Sequence, residues 1–163
     1  MPYQAPGEWV LLAYRVPREP SSPRIAIWRK LKRLGVAQVG DGLVALPADA
    51  RTREHLDWLA EEVVEAGGRA TMWLARPATV AAERELAAGM TAARVAEYGK
   101  VLAEAAAGAE LEPLARAALL RRLRAELRRI ARRDYFPPPQ RGEAQAAVAA
   151  LASRARVESQ EPA

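Results

Sequence analysis

The side chains best placed to do chemistry are basic, and they come in two blocks. Residues 15 to 33 hold seven basic groups against one acid, Glu19, and residues 116 to 133 hold eight against one acid, Glu126. Spaced about 100° apart around a helix axis, Arg29, Lys32 and Arg33 fall opposite Ile27, Leu31 and Leu34. In the second block Leu119, Leu120, Leu123, Leu127 and Ile130 form one apolar stripe. Arg121, Arg124, Arg128 and Arg132 line up on one side of it, and Arg122, Arg129 and Arg133 gather on the far side. Cationic groups fixed along a rigid face bind a row of phosphates by releasing counterions, which gives salt-dependent affinity that ignores base sequence. Like charges at i,i+4 each cost a few tenths of a kcal/mol, so the second row calls for an anionic partner. Three partners fit it: DNA, an acidic protein surface, or the chain's own acids Asp57, Glu61, Glu62 and Glu65. The ordinary fate of the first block is a solvated helix face.

Other chemistry is short of residues. The chain has no cysteine and one histidine, which leaves no thiol nucleophile, no disulfide, no thiolate metal site and no multi-histidine site. Ser21, Ser22, Ser153 and Ser159 have no histidine oriented by a carboxylate, and His55 reads as a surface group. The chain therefore reads as non-enzymatic, with no catalytic residue, metal ligand or cofactor. No apolar run of about 18 residues occurs, and Met1-Pro2-Tyr3-Gln4 lacks a basic leader segment, so a cytoplasmic chain without a membrane partner is expected. The 163 residues carry a net charge of +5, with 22 arginines, 3 lysines and 37 alanines. The two basic blocks contribute +6 and +7, so the remainder stands at −8, an asymmetry that orients an anionic partner.

The elements that position these residues follow from periodicity. Trp9 to Val16 is an apolar run of strand length that suits a central strand. Ser22 as N-cap and Pro23 at the first helical position open a helix that Gly35 closes. Val36–Val39 and Leu43–Leu46 flank Gly40-Asp41-Gly42, a hairpin signature. Thr52 caps a second helix with the stripe Leu56, Leu59, Val63, which Gly67-Gly68 ends, and Thr71–Ala75 is a further strand. The order β-α-β-β-α-β predicts an α+β fold, a ferredoxin-like unit over 1–77, with both helices on one face of a four-stranded antiparallel sheet. Residues 78–163 form an α-helical C-terminal appendage that shares one core with it. A long helix runs over 79–107 with Val80, Leu86, Met90, Ala93 and Tyr98 buried, a second over 113–133, and a short third from Glu143 to Arg154 before a frayed end at 157–163. Trp58 lies off the second helix's apolar stripe and is expected to pack beneath the appendage. Tyr135-Phe136 before three prolines either plugs the core or offers a stacking platform beside the arginines.

The strand Leu11-Leu12-Ala13-Tyr14-Arg15-Val16 and the helix Ser22-Pro23-Arg24-Ile25-Ala26-Ile27-Trp28-Arg29-Lys30-Leu31-Lys32-Arg33-Leu34-Gly35 open a wider pattern. It continues through Asp41-Gly42-Leu43-Val44-Ala45-Leu46-Pro47, Arg51-Thr52-Arg53-Glu54, Asp57-Trp58-Leu59-Ala60 and Asp134-Tyr135-Phe136-Pro137. From about Trp9 to Leu151 this resembles the N-terminal domain of the bacterial chromate-resistance protein ChrB. The resemblance implies transcription regulation of a chromate-efflux operon, with DNA and a second copy of the chain as partners. Full-length members carry a further domain, so a separate protein of ChrB C-terminal type is an expected partner too. The first half also resembles the middle domain of the phenylacetate-catabolism repressor PaaX and a small CRISPR-associated nuclease, both ferredoxin-like and dimeric. The nuclease family has an acidic metal ligand at the end of its first strand, where this sequence has Tyr14-Arg15, so phosphodiester cleavage is not carried over. DNA contacts are assigned to Arg29, Lys32, Arg33, Arg121, Arg124, Arg128 and Arg132. The alternative is a dimeric interaction module whose arginines pair internally or with an acidic partner. Chromate, a dianion, would need arginines that converge rather than line up.

Overall fold

Strand β1 (Trp9–Arg15) is apolar almost throughout because it lies inside a sheet. It pairs antiparallel with β3 (Leu43–Pro47) on one side and β4 (Arg69–Ala75) on the other, and β2 (Ala37–Gly40) extends the order to β2-β3-β1-β4. This computed structural model describes residues 7–160. Helices α1 (Ser21–Leu34) and α2 (Ala50–Glu65) complete the β-α-β-β-α-β order, and α3 (Val80–Ala107), a short 3-10 turn at Gly108–Glu110, α4 (Pro113–Arg132) and α5 (Pro139–Gln160) follow. The fold is α+β, a ferredoxin-like unit with an α-helical C-terminal region. By compactness the chain divides into a unit ending at Met90 and a unit beginning at Thr91.

Register explains which strand residues meet the helices. Val10 faces Leu46 and Leu12 faces Val44 across the β1–β3 ladder, and all four are completely buried. Being cross-strand partners they share one side of the sheet, the side closed by Ile27 and Leu31 of α1 and by Leu56, Leu59 and Val63 of α2, all buried. The stripe expected for α2 is the buried one. Its cap differs from expectation: Asp49 is the N-cap, and Thr52, three residues on, returns the bond. The Thr52 N–H donates to Asp49 Oδ1 at 2.8 Å, and the Asp49 N–H donates to Thr52 Oγ1 at 2.9 Å. Thr52 thus serves as the inner half of a capping box, a place more often held by Glu or Gln. Helix α1 begins one residue before the expected cap, at Ser21, with extended Pro20 as its N-cap and no side-chain cap bond.

Gly42 fixes the hairpin tip to the end of β1. Its φ is +67°, and a Cβ there would stand 2.4 Å from the Tyr14 carbonyl oxygen, while the Tyr14 N–H donates to the Gly42 carbonyl at 2.8 Å. Both the conformation and the approach need glycine. Gly42→Ala is expected to cost about 2 kcal/mol, read as a lower urea midpoint with an unchanged slope.

The first turns of α3 close over the start of β1. Trp9 is 1% exposed, and its indole Nε1 donates to Glu83 Oε1 at 3.0 Å, the same oxygen that accepts from the Gly7 N–H. The buried positions of α3 are Glu83, Ala87, Met90, Arg94, Tyr98, Val101 and Ala105. Met90 and Tyr98 match expectation, whereas Val80 is 61% exposed, Ala93 is exposed and Leu86 is only half-buried. Two charged residues occupy the stripe in their place: Glu83 accepts from Trp9 and Gly7, and Arg94 donates to the Arg133 carbonyl and lies 3.0 Å from Glu97.

In the second unit Tyr98, Val101, Leu120, Leu123, Ile130, Val148 and Leu151 form one apolar cluster. Ala105, Ala144 and Ala152 in the same cluster let helices approach closely, which is what the alanine content achieves. Helix α5 is longer than expected because Pro139, the last of the three prolines, fits the first helical position, where no N–H is needed. The helix continues through residues 157–160, where fraying was expected; the rest of that segment, 161–163, lies outside the described residues along with residues 1–6.

Candidate nucleic-acid interface

The two basic blocks lie on different units, and each forms its own face. On α1, Ile27 and Leu31 point into the core while Arg29, Lys32 and Arg33 are exposed. Lys30, the remaining lysine of that helix, is held by Glu62 of α2 at 2.6 Å. The Lys32 ammonium lies 4.7 Å from the centroid of the Trp28 ring, and Trp28 is 52% exposed. An exposed tryptophan on the cationic face is a feature that charge counting missed. Its signal was present in the sequence, a large aromatic among arginines on the polar side of an amphipathic helix.

Helix α4 sorts its arginines into three fates. Arg116 is 4% exposed and spends its guanidinium on the end of α3 and on α5. Nε donates to the Gly108 carbonyl at 3.2 Å, and the remaining nitrogens reach the Ala109 and Leu111 carbonyls and the Glu158 carboxylate. That buried role was not foreseen, because it depends on backbone carbonyls freed where α3 tightens into the 3-10 turn.

Arg122, Arg129 and Arg133 are paired. Arg122 bonds Glu104, Arg129 bonds Glu126 at 2.7 Å, and Arg133 bonds Glu97 at 3.0 Å. The hydrogen bond that Arg122 donates to Glu104 raises the Arg122 pKa above its already high value. Internal pairing was expected to draw on Asp57, Glu61, Glu62 and Glu65, but the acids used are on α3 and on α4 itself. Arg121, Arg124, Arg128 and Arg132 make up the third set. All four are exposed and none has a side-chain partner among the described residues. Steps of three and four residues carry the row about 16 Å along the helix, the axial length of about five base pairs.

Behind the paired set lies a buried polar network. Arg94 Nη1 donates to the Arg133 carbonyl at 3.1 Å, its Nε lies 3.0 Å from Glu97, and the Tyr98 hydroxyl donates to Asp134 Oδ2 at 2.7 Å. Burial lowers the Arg94 pKa and Arg133 adds to that, while Glu97 opposes it. This network ends α4 and sets the path into Tyr135-Phe136, both half-buried, with Thr91 Oγ1 reaching the Phe136 carbonyl. Trp58, expected to be covered, is 56% exposed on the outward side of α2, tilted against His55 at 6.2 Å between ring centroids.

No group of three or more His, Cys, Asp or Glu side chains among the described residues could hold a metal ion, and no helix is long and apolar enough to cross a membrane. No solved structure matches this chain. The chain is 29% identical over 148 residues to Protein ChrB of Cupriavidus metallidurans, a match that covers 84% of this chain and 43% of that protein. The chain thus spans less than half the length of the curated relative it matches. Residues 24–159, containing the α1 face, the α4 row and the buried network between α3 and α4, match the family described as Protein ChrB, N-terminal, and the chain belongs to that family.

Proposed function

We propose that this chain is a non-enzymatic regulatory module of the ChrB chromate-resistance type that holds duplex DNA by its backbone in the cytoplasm. The observation that carries the reading is the partition on α4. Acids of α3 and α4 neutralise Arg122, Arg129 and Arg133, and Arg121, Arg124, Arg128 and Arg132 stand exposed in a single row with no side-chain partner among the described residues. A protein that needed only internal glue would spend its arginines as it spends Arg116 or Arg133. Arg29, Lys32 and Arg33 supply a second, shorter set of phosphate contacts. Base-specific recognition and chromate response fall to a second copy of the chain, to the remainder of a full-length protein, or to a separate protein of ChrB C-terminal type.

Seven phosphate contacts predict a slope of about −6 in a plot of log affinity against log salt. Fluorescence anisotropy of a labelled duplex of about 30 base pairs, at about 50 and 200 mM salt, measures it. Absence of binding at the lower salt, or a slope near zero, rejects the proposal in favour of an acidic protein partner.

A further inference from the structure

Where β1 ends, the first unit has an open groove of about 580 Å³ lined by Tyr14, Val16, Arg24, Ile25, Trp28 and Arg29, with Gly42 at the hairpin tip. Its walls are fixed from three directions. Tyr14 and Val16 continue the central strand, Arg24, Ile25, Trp28 and Arg29 come from successive turns of α1, and the hairpin is tied down by the Tyr14–Gly42 backbone bond at 2.8 Å. Trp28 and Ile25 remain 52% and 43% exposed, Trp28 even with the Lys32 ammonium over its ring, and leave an apolar wall open to a ligand. Arg24 and Arg29 are exposed and have no side-chain partner among the described residues, and no acid lines the groove.

From this geometry we propose that the groove is a binding site for a small planar aromatic anion, its ring against Trp28 and Ile25 and its acidic head between the Arg24 and Arg29 guanidinium groups. The volume lies within the range of small-molecule sites, and the lining combines an apolar wall with a few polar groups that fix orientation. Guanidinium pairs recognise a carboxylate or phosphate oxygen better than any other side chain, and both arginines sit one helical turn from an apolar member of the wall, Arg24 from Trp28 and Arg29 from Ile25. Lys32 over the Trp28 ring adds positive charge and holds the indole in place. Half-buried Tyr14 lines the strand side of the groove, and burial raises its phenol pKa. Arg29 and Lys32 also belong to the proposed phosphate contacts, so occupancy of the groove is measured with DNA absent, and its failure leaves the α4 row untouched.

The head group has two sources, a free aromatic carboxylate or the phosphate of a nucleotide whose base stacks on Trp28. Isothermal calorimetry of the whole chain with 2-naphthoate and with deoxyadenosine monophosphate separates them, the tighter ligand assigning the head group. Saturable sub-millimolar binding of at least one is expected, with the neutral analogue 2-naphthalenemethanol weaker by about tenfold or more. In a nitrogen-proton correlation spectrum the Trp28 indole signal should move, and that of buried Trp9 should not. Trp28→Ala, and Arg24→Ala with Arg29→Ala, should each weaken binding by about tenfold, whereas Arg53→Ala on α2 should leave it unchanged. All these positions are exposed, so folding is not at stake. Binding of neither anion up to about 5 mM, equal binding of the neutral analogue, or affinity indifferent to the Trp28 and arginine substitutions would overturn the proposal.

Discussion

Asp134→Ala is expected to destabilise the second unit by about 3 kcal/mol, lowering its thermal midpoint by roughly 15 °C. The Asp134 side chain is fully buried, accepts from the Tyr98 hydroxyl at 2.7 Å, and has Arg141 at 3.9 Å. Its Oδ1 is buried without a hydrogen-bond partner, so the carboxylate relies on the positive field of Arg94 and Arg141 to remain in the interior. Truncation leaves the Tyr98 hydroxyl unpaired, removes the carboxylate 3.9 Å from Arg141 and leaves Arg94 with Glu97 alone, the costly way to break such a network. All four tryptophans lie before Met90, so indole fluorescence follows the first unit alone; circular dichroism at the helical band reports both units, and the part of its transition that departs from the fluorescence belongs to the second. An unchanged dichroism midpoint would show the network to be dispensable. Tyr98→Phe should cost about 2 kcal/mol at neutral pH. It should also alter the alkaline limb, because burial, reinforced by the Asp134 bond, raises the Tyr98 phenol pKa above 10. A proton held more tightly in the folded state supports stability fully below the unfolded value, and that support is lost as pH rises through the folded one. Stability of the Tyr98→Phe chain should therefore fall less steeply above about pH 10 than that of the parent.

The parts of this molecule that could be read from sequence are those where a strong local period meets a strong contrast in side chains. Leu56, Leu59 and Val63 on α2 and Leu120, Leu123 and Ile130 on α4 are such cases, and they are buried as their spacing requires. Asp41-Gly42 marked the hairpin because its backbone chemistry is local. Alanine supplies no such contrast, and α3 shows the result. Val80 and Ala93 satisfied the period yet face outward, while the stripe takes in Glu83 and Arg94, whose burial depends on Trp9 and on the Arg133 carbonyl, 74 and 39 residues away in sequence. Pairing partners were misplaced for the same reason. The acids of α2 looked available, but Glu62 is committed to Lys30, and Glu97 and Glu104 reach α4 through tertiary packing that no helical wheel contains. Geometry on one helix did carry through. The wheel put Arg121, Arg124, Arg128 and Arg132 in one strip and Arg122, Arg129 and Arg133 in another, and the structure separates the same two sets by whether they find an acid. The groove beside Trp28 needs a strand end, a helix face and a turn at once, so only folding assembles it.

Exchanging the four free arginines for glutamine should separate stability from binding in opposite directions. Arg121, Arg124, Arg128 and Arg132 contain one i,i+3 and two i,i+4 like-charge neighbours with no acid among them. Removing those repulsions should leave the helix unchanged or more stable by up to about 1 kcal/mol. The same change removes four of the seven proposed phosphate contacts, so the salt slope should shrink by about 3.6 and affinity at low salt should fall by about two to three orders of magnitude. Exchanging Arg122, Arg129 and Arg133 removes nearly as much charge but should do the reverse. It strips Glu104, Glu126 and Glu97 of their partners, lowering the thermal midpoint of the second unit, while the salt slope changes by less than about 1. Long-range attraction by net charge alone predicts nearly equal losses from the two substitutions, since four charges are removed in one and three in the other. A row used as a phosphate-binding edge predicts the asymmetry. Anisotropy and thermal melts on the same two preparations decide between them: equal losses of affinity would remove α4 from the DNA contact and leave its free arginines to an acidic protein.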